Sequence, residues 1–267
     1  MIEIIRQKVN EINQEIIDHR RWLHRNAELS FQEYKTSEFI AKVLSEIGSV
    51  EISRPTPTSV LAVLKTGKPG PIIALRADID ALPMTENNDL PYKSVNEGVM
   101  HACGHDGHAA ILLGTVKVLT ALKNNLSGEV RFIFQHAEEV PPGGAVELVK
   151  AGVVNNVDEI YGLHLVSVLE TGQFGIRSGT LTSATDKFSI LVKGSGGHSS
   201  MPYACKDPIT TGAEIITALQ TILSRKINAS EQAVLSICQV QAGSAYNIIP
   251  DDMSIIGSIR TFSESVR

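Results

Sequence analysis

The chain has 267 residues, 43% of them apolar, which is enough for one large domain or two smaller ones with real cores. A formal net charge of −5 and an aromatic content of 5% are poorly suited to a nucleic-acid binder, which needs basic patches and stacking platforms. No stretch approaches the roughly 20 apolar residues of a membrane span, the opening MIEIIRQKVNEINQEI lacks a signal-peptide core, and Cys103, Cys205 and Cys238 are too scattered for a disulfide framework, which points to a reducing cytoplasm.

Ile4, Ile5, Val9, Ile12, Ile16 and Ile17 recur at helical spacing and predict an amphipathic helix that Leu23 can extend. A second helix is expected over 34–47, stopped by Gly48. The texture then becomes that of strands over 59–67 and 71–80, parted by Gly67-Lys68-Pro69-Gly70. A loop rich in Pro, Asn and Gly, 81–104, leads to a helix expected over 109–125 with Asp106 as its N-cap. A strand over 128–135, a helix over 144–154 and a strand over 157–165 complete an alternation that predicts an α/β layered sheet, mostly parallel.

Beyond Gly179 the pattern changes. A strand over 184–197, a helix over 207–227 and strands over 233–243 and 252–262 predict a smaller, one-sided antiparallel α+β unit. The helix is expected to lay Ile209, Ala213, Ile216, Leu219 and Leu223 on its own sheet. With the boundary at Thr182, the domains are 1–182 and 183–267.

Polar residues gather where the predicted strands end. Asp78 and Asp80 follow one strand, Glu138 and Glu139 another, and His164 a third, while Cys103 and His105 precede a helix. Ligands of open α/β sheets collect outside the carboxyl ends of strands, so these residues are expected to converge on one rim. A mixed Cys, His and carboxylate set suits Zn²⁺, Co²⁺ or Mn²⁺ better than Ca²⁺ or Mg²⁺. Of the paired glutamates, one can bind metal while the other accepts a proton from water. Asp80 is suited to fixing a histidine's tautomer. Taken singly, each piece has an ordinary explanation: a solvated Glu pair, a turn aspartate, a histidine at a strand end. A cysteine nucleophile with His105 is a second reading, but it leaves the glutamates and His164 without a role. His19 and His24 are expected to serve helix packing, His101 and His108 to stand behind the site, and His136 to be structural. In the second unit GSGGHSSMP carries His198 on a glycine-rich hinge suited to stabilising an oxyanion. Asn247 and Arg260 are polar candidates for a substrate carboxylate.

MHACGHDGH, FQHAEE, YGLHL, GGHSSMP and YNIIPD, in that order, resemble the M20 family of metallopeptidases and amidohydrolases. The branch resembled is subfamily D, which includes hippurate and auxin-conjugate hydrolases and diaminopimelate deacetylases. RRWLHRNAELSFQE is similar to that branch too, with Asn26-Ala27 in place of His-Pro. The resemblance implies two divalent ions (Mn, Zn, Co or Ni) held by Cys103, His105, Glu139 and His164, with Cys103 where relatives place a bridging carboxylate. It implies Glu138 as general base, Asp80 as support, His198 polarising the scissile carbonyl, and Asn247 and Arg260 on the substrate's carboxylate. It further implies a ferredoxin-like lid that mediates a homodimer. The expected reaction is hydrolysis of N-acyl amino acids, or of short peptides by a dipeptidase or carboxypeptidase. Family members continue past the equivalent of Arg267 and return to the catalytic domain with another histidine ligand. The expectation is therefore a fold incomplete at its C-terminus, and the alternative a truncated, non-catalytic metal- or peptide-binding protein.

Overall fold

A computed structural model describes Met1–Arg267. Contacts divide it into two compact units, Met1–Glu170 and Thr171–Arg267. The sequence texture shifts later, at Thr182, because 171–182 forms no regular element and announces nothing. It sides with the second unit, where Thr180 Oγ1 donates to the Phe262 carbonyl at 3.1 Å.

The first unit runs α1 (Ile2–Arg25), α2 (Tyr34–Ile47), β1 (Glu51–Ser53), β2 (Val60–Lys65), β3 (Ile72–Asp78), α3 (His105–Ala121), β4 (Glu129–Gln135), α4 (Gly144–Lys150) and β5 (Glu159–Gly162). The sheet order is β1-β2-β4-β3-β5. β3, β4 and β5 pair in parallel, and β2 is antiparallel to both β4 and β1. Four of the five strands therefore share a direction and β2 alone opposes them. Alternation along β4 explains the layering. Val130, Phe132 and Phe134 join the core under α1, α2 and α3, and Ile133 packs with Leu148 and Val153 on the α4 side. Phe132 and Phe134 are wholly buried, worth about 1.5–3 kcal/mol each relative to exposure. No helix is long and apolar enough to cross a membrane.

The second unit runs β6 (Ala184–Lys193), β7 (Gly197–His198), α5 (Pro208–Arg225), β8 (Ala233–Ala242), β9 (Ile248–Ile249) and β10 (Asp252–Thr261). β10 lies between β6 and β8, antiparallel to each, so β6-α5-β8 is a split β-α-β crossover. β6 buries one face only, in strict alternation. The contact face of α5 is centred differently from the expected stripe. Gly212 is buried against Met253, where a Cβ would come within 2.3 Å of sulfur, while Ile209 is 43% exposed. A backbone that approaches this closely fixes the helix's rotation more firmly than an apolar side chain at its end.

Two expectations for α3 need correction. The helix begins at His105, not at 109, and its N-cap is Gly104 in the left-handed region at φ 88°, not Asp106. Asp106 lies inside the first turn, where its carboxylate takes Arg20 Nε at 2.7 Å and His24 Nδ1 at 2.8 Å. A buried ion-pair network outcompetes the local capping bond. His24 Nε2 also bonds Glu86 at 3.1 Å, so both ring nitrogens face carboxylates. The bond to Asp106 is the main reason its pKa is raised.

Candidate metal centre

Because β3, β4 and β5 are parallel, Asp78, Glu138-Glu139 and His164 leave the sheet at the same rim. The first turn of α3 meets them there. Gly104 and Gly107 permit this approach: a Cβ on Gly104 would sit 3.3 Å from Leu165 Cβ, and one on Gly107 2.5 Å from Leu165 Cδ1. Small residues at these positions let the segment carrying His164 settle against the segment carrying Cys103 and His105.

The hydrogen bonds then fix each ring. His105 Nδ1 lies 2.9 Å from the Asp80 carbonyl and 3.2 Å from Asp80 Oδ1. A carbonyl only accepts, so Nδ1 carries the proton and Nε2 offers a lone pair. His164 repeats this logic, with Nδ1 donating to the Leu165 carbonyl at 2.7 Å and Nε2 lying 3.4 Å from Cys103 Sγ. His105 Nε2 and Glu139 Oε1 are buried without a hydrogen-bond partner, 3.8 Å apart. Two donors about 2.1 Å from one tetrahedral ion lie roughly 3.4 Å apart, so this pair is spaced to grip a cation. Donor atoms of Cys103, His105 and His164 lie within 4.8 Å of one another, and so do those of His105, Glu138 and Glu139. The four expected ligands thus lie in two overlapping groups that share His105, with Glu138 in the second.

Asp78, His105 and His108 form a third such group, but the donors of Asp78 and His108 are spent. His108 Nδ1 bonds Asp78 Oδ1 at 2.6 Å, and its Nε2 accepts from the Leu165 N–H at 2.8 Å. His108 therefore links β3 to the backbone beside His164. His101 is buried with neither ring nitrogen bonded, and burial pushes its pKa down to about 4. His136 is bonded to Glu147 at 2.9 Å.

Electrostatics assign distinct characters to the carboxyls. Burial works against ionisation of Asp80, yet bonds from His105, the Glu139 N–H and Ser30 hold it well below the usual range. Glu138 is raised by burial and by the Glu139 charge. Burial and then Glu139 push the Cys103 thiol up to about 12. A thiol nucleophile requires the opposite shift, which disfavours the reading of Cys103 as a nucleophile with His105, whereas an adjacent cation would favour the thiolate.

In the second unit, β7 pairs with β9. Ser199 N donates to the Asn247 carbonyl at 3.1 Å, which brings the exposed His198 and Asn247 close together on two facing segments. Arg260 stands apart, eight residues along β10 from Asp252 and bonded to Thr185. At about 3.4 Å per residue that is roughly 27 Å from the strand's start. Ser30 shapes the site but escapes sequence reasoning, because it acts through Asp80, a partner distant in the chain; Asp78 and His108, expected at the rim and behind it, are bonded to each other.

A family model for peptidase family M20/M25/M40 matches residues 74–260. The N-acyl-L-amino acid amidohydrolase of Geobacillus stearothermophilus is 49% identical over 265 residues, covering 99% of this chain and 72% of that protein. Thermostable carboxypeptidase 2 of Saccharolobus solfataricus is 44% identical over 269 residues, covering 100% of this chain and 68% of that protein. A Bacillus subtilis crystal structure, titled a dinuclear metal binding peptidase from the M20 family, superposes with a TM-score of 0.82 at 40% identity, covering 97% of this chain and 67% of that one.

Proposed function

The chain belongs to peptidase family M20/M25/M40, and from that premise we propose that it hydrolyses the amide bond of N-acyl amino acids with two divalent ions. The observation carrying this reading is the pair of buried lone pairs, His105 Nε2 and Glu139 Oε1, aimed at a common point. Cys103, His105, Glu139 and His164 would hold the ions. The mixed donor set fits Mn, Zn, Co or Ni. Once held, the ions supply Lewis acidity toward an amide carbonyl and acidify water.

The side chains do the rest. Glu138 accepts a proton from water as the water oxygen bonds the acyl carbon, then passes that proton to the departing amine nitrogen as the C–N bond breaks. Its raised pKa suits both halves of that transfer. Asp80 fixes the His105 ring and the Glu139 backbone. By resemblance, His198 donates to the carbonyl oxygen, the second unit is a lid that also forms a homodimer, and the substrate's carboxylate is received by Asn247 or by Arg260, which stand too far apart in one copy to hold it together. A cytoplasmic enzyme acting on a small N-acyl amino acid or short peptide completes the proposal.

The similarity to a carboxypeptidase favours a second reading in which the acyl group is itself a peptide. A panel of N-acetyl and N-benzoyl amino acids set against dipeptides and N-blocked peptides separates the two by kcat/KM. Glu138→Gln is expected to retain metal and lose about 10²–10⁴ in turnover. Normal hydrolysis by that variant would sink the base assignment. Metal binding by the wild type with no hydrolysis of any panel member would mark a binding protein instead.

A further inference from the structure

Between β4 and α4 the chain makes the turn that presents Glu138 and Glu139. Ala137, at its start, is wholly buried and holds φ at 45°, the left-handed region. For a residue with a Cβ this costs roughly 1–2 kcal/mol, so the surroundings must over-determine it. The peptide groups around it are tied down. The Gly144 N–H donates to the Ala137 carbonyl at 2.8 Å, and the Glu139 N–H to Asp80 Oδ2 at 3.0 Å. The Ala137 N–H bonds a side chain from far upstream, Glu33 Oε1, at 2.8 Å.

Glu33 is 0% exposed, and burial raises its pKa. The same oxygen accepts from the Phe31 N–H at 3.0 Å, and Phe31 is also left-handed, at φ 65°. One oxygen thus serves two strained non-glycine residues, one on the 28–33 segment and one on the Glu138 turn. That segment is itself anchored. Ser30 Oγ donates to Asp80 Oδ2 at 2.7 Å, Leu29 bridges Ala81, and the Glu28 carboxylate takes Thr36 N and Oγ1 at 2.9 Å each.

We infer that Glu33 is a positioning residue for the Glu138-Glu139 turn, setting the backbone from which the proton carrier and the metal-binding carboxylate project. The assignment of those two roles rests on the hydrolase reading above; the hold of Glu33 on the turn does not. Glu33 reaches the Glu138 turn through the Ala137 amide.

The test uses the full chain without metal, comparing wild type, Glu33→Ala and Glu33→Gln by amide hydrogen exchange. Loss of the accepting oxygen in Glu33→Ala should speed exchange at 137–139 at least tenfold relative to the amides of α3. Glu33→Gln keeps a weaker, neutral acceptor and should speed it about threefold at the same amides. A Mn²⁺ titration of Glu33→Ala should show about tenfold weaker binding. Unchanged exchange at 137–139, or acceleration spread evenly over the first unit, overturns the inference. If Glu33→Ala does not fold, the same two outcomes are read from Glu33→Gln. Failure of the wild type to bind Mn²⁺ counts against the hydrolase reading and leaves the exchange result to stand by itself.

Discussion

The two units place their candidate site histidines in opposite settings. In the first, His105 is 1% exposed, its Nδ1 donates to the Asp80 carbonyl, and the Asp80 carboxylate accepts from the Glu139 N–H. In the second, His198 is exposed, and its Nδ1 accepts from Ser200 N at 3.2 Å and meets Ser200 Oγ at 2.8 Å. Buried polar atoms must find partners, so the two that have none among the first unit's ligands point to something the chain expects to bind. An exposed imidazole can satisfy itself with water and carries no such message. The first unit is preorganised by its fold, whereas the second offers a group whose role depends on what approaches it.

Unfolding free energy is the ruler that breaks or sharpens this contrast. Asp80→Ala should cost the most. It strands the Ser30 hydroxyl and the Glu139 N–H and leaves the His105 ring only the Asp80 backbone carbonyl, for about 3–5 kcal/mol in denaturant melts. Metal affinity should fall about 10–100-fold by calorimetric titration. A loss below 1 kcal/mol would erase the difference between the units. Gly104→Ala comes next. A Cβ there meets Leu165 and is strained at φ 88°, so about 1–2 kcal/mol and weaker metal binding are expected in the same assays.

The His24 network should show in pH dependence. His24 is raised above 6.5 chiefly by its bond to Asp106, so its contribution is complete below that value and is lost as pH rises through the folded pKa. Asp106, starting from 3.8, and Glu86, from 4.5, are lowered despite burial, by bonds that include those from His24. Their contribution is present above those values and is lost as pH falls through the folded ones. Thermal melts should therefore be highest between roughly pH 4.5 and 6.5 for this network, and His24→Gln should flatten both shoulders. His198→Ala should come last, changing stability by less than about 0.5 kcal/mol and leaving metal affinity alone. Turnover, where measured, should drop about 10²–10³-fold. If that variant lost stability as Asp80→Ala does, the second unit would be as preorganised as the first.

Much of this was legible in the residues. Alternation and punctuation located every long element, and a shared strand direction was enough to gather Asp78, Glu138, Glu139 and His164 on one rim. What escaped was short or reciprocal. β1 is three exposed residues, too few to show a period. The first turn of α3 reads as loop because His105, Asp106 and His108 spend their polarity on Asp80, His24 and Asp78. Glu33 lies 104 positions from the amide it holds, and nothing local distinguishes it from a surface glutamate.

The edge strand β5 is exposed along its whole length and is hydrogen-bonded only to β3. His164 follows it directly, 61 positions from Cys103. A cation gripped by both would clasp the hem of the sheet to the start of α3 as a crosslink does. Closing a circuit of that size removes, by the arithmetic used for disulfides, about 4 kcal/mol of freedom from the unfolded chain. On that view the ions are fasteners as well as reagents, and chelation should loosen β5 before any other strand.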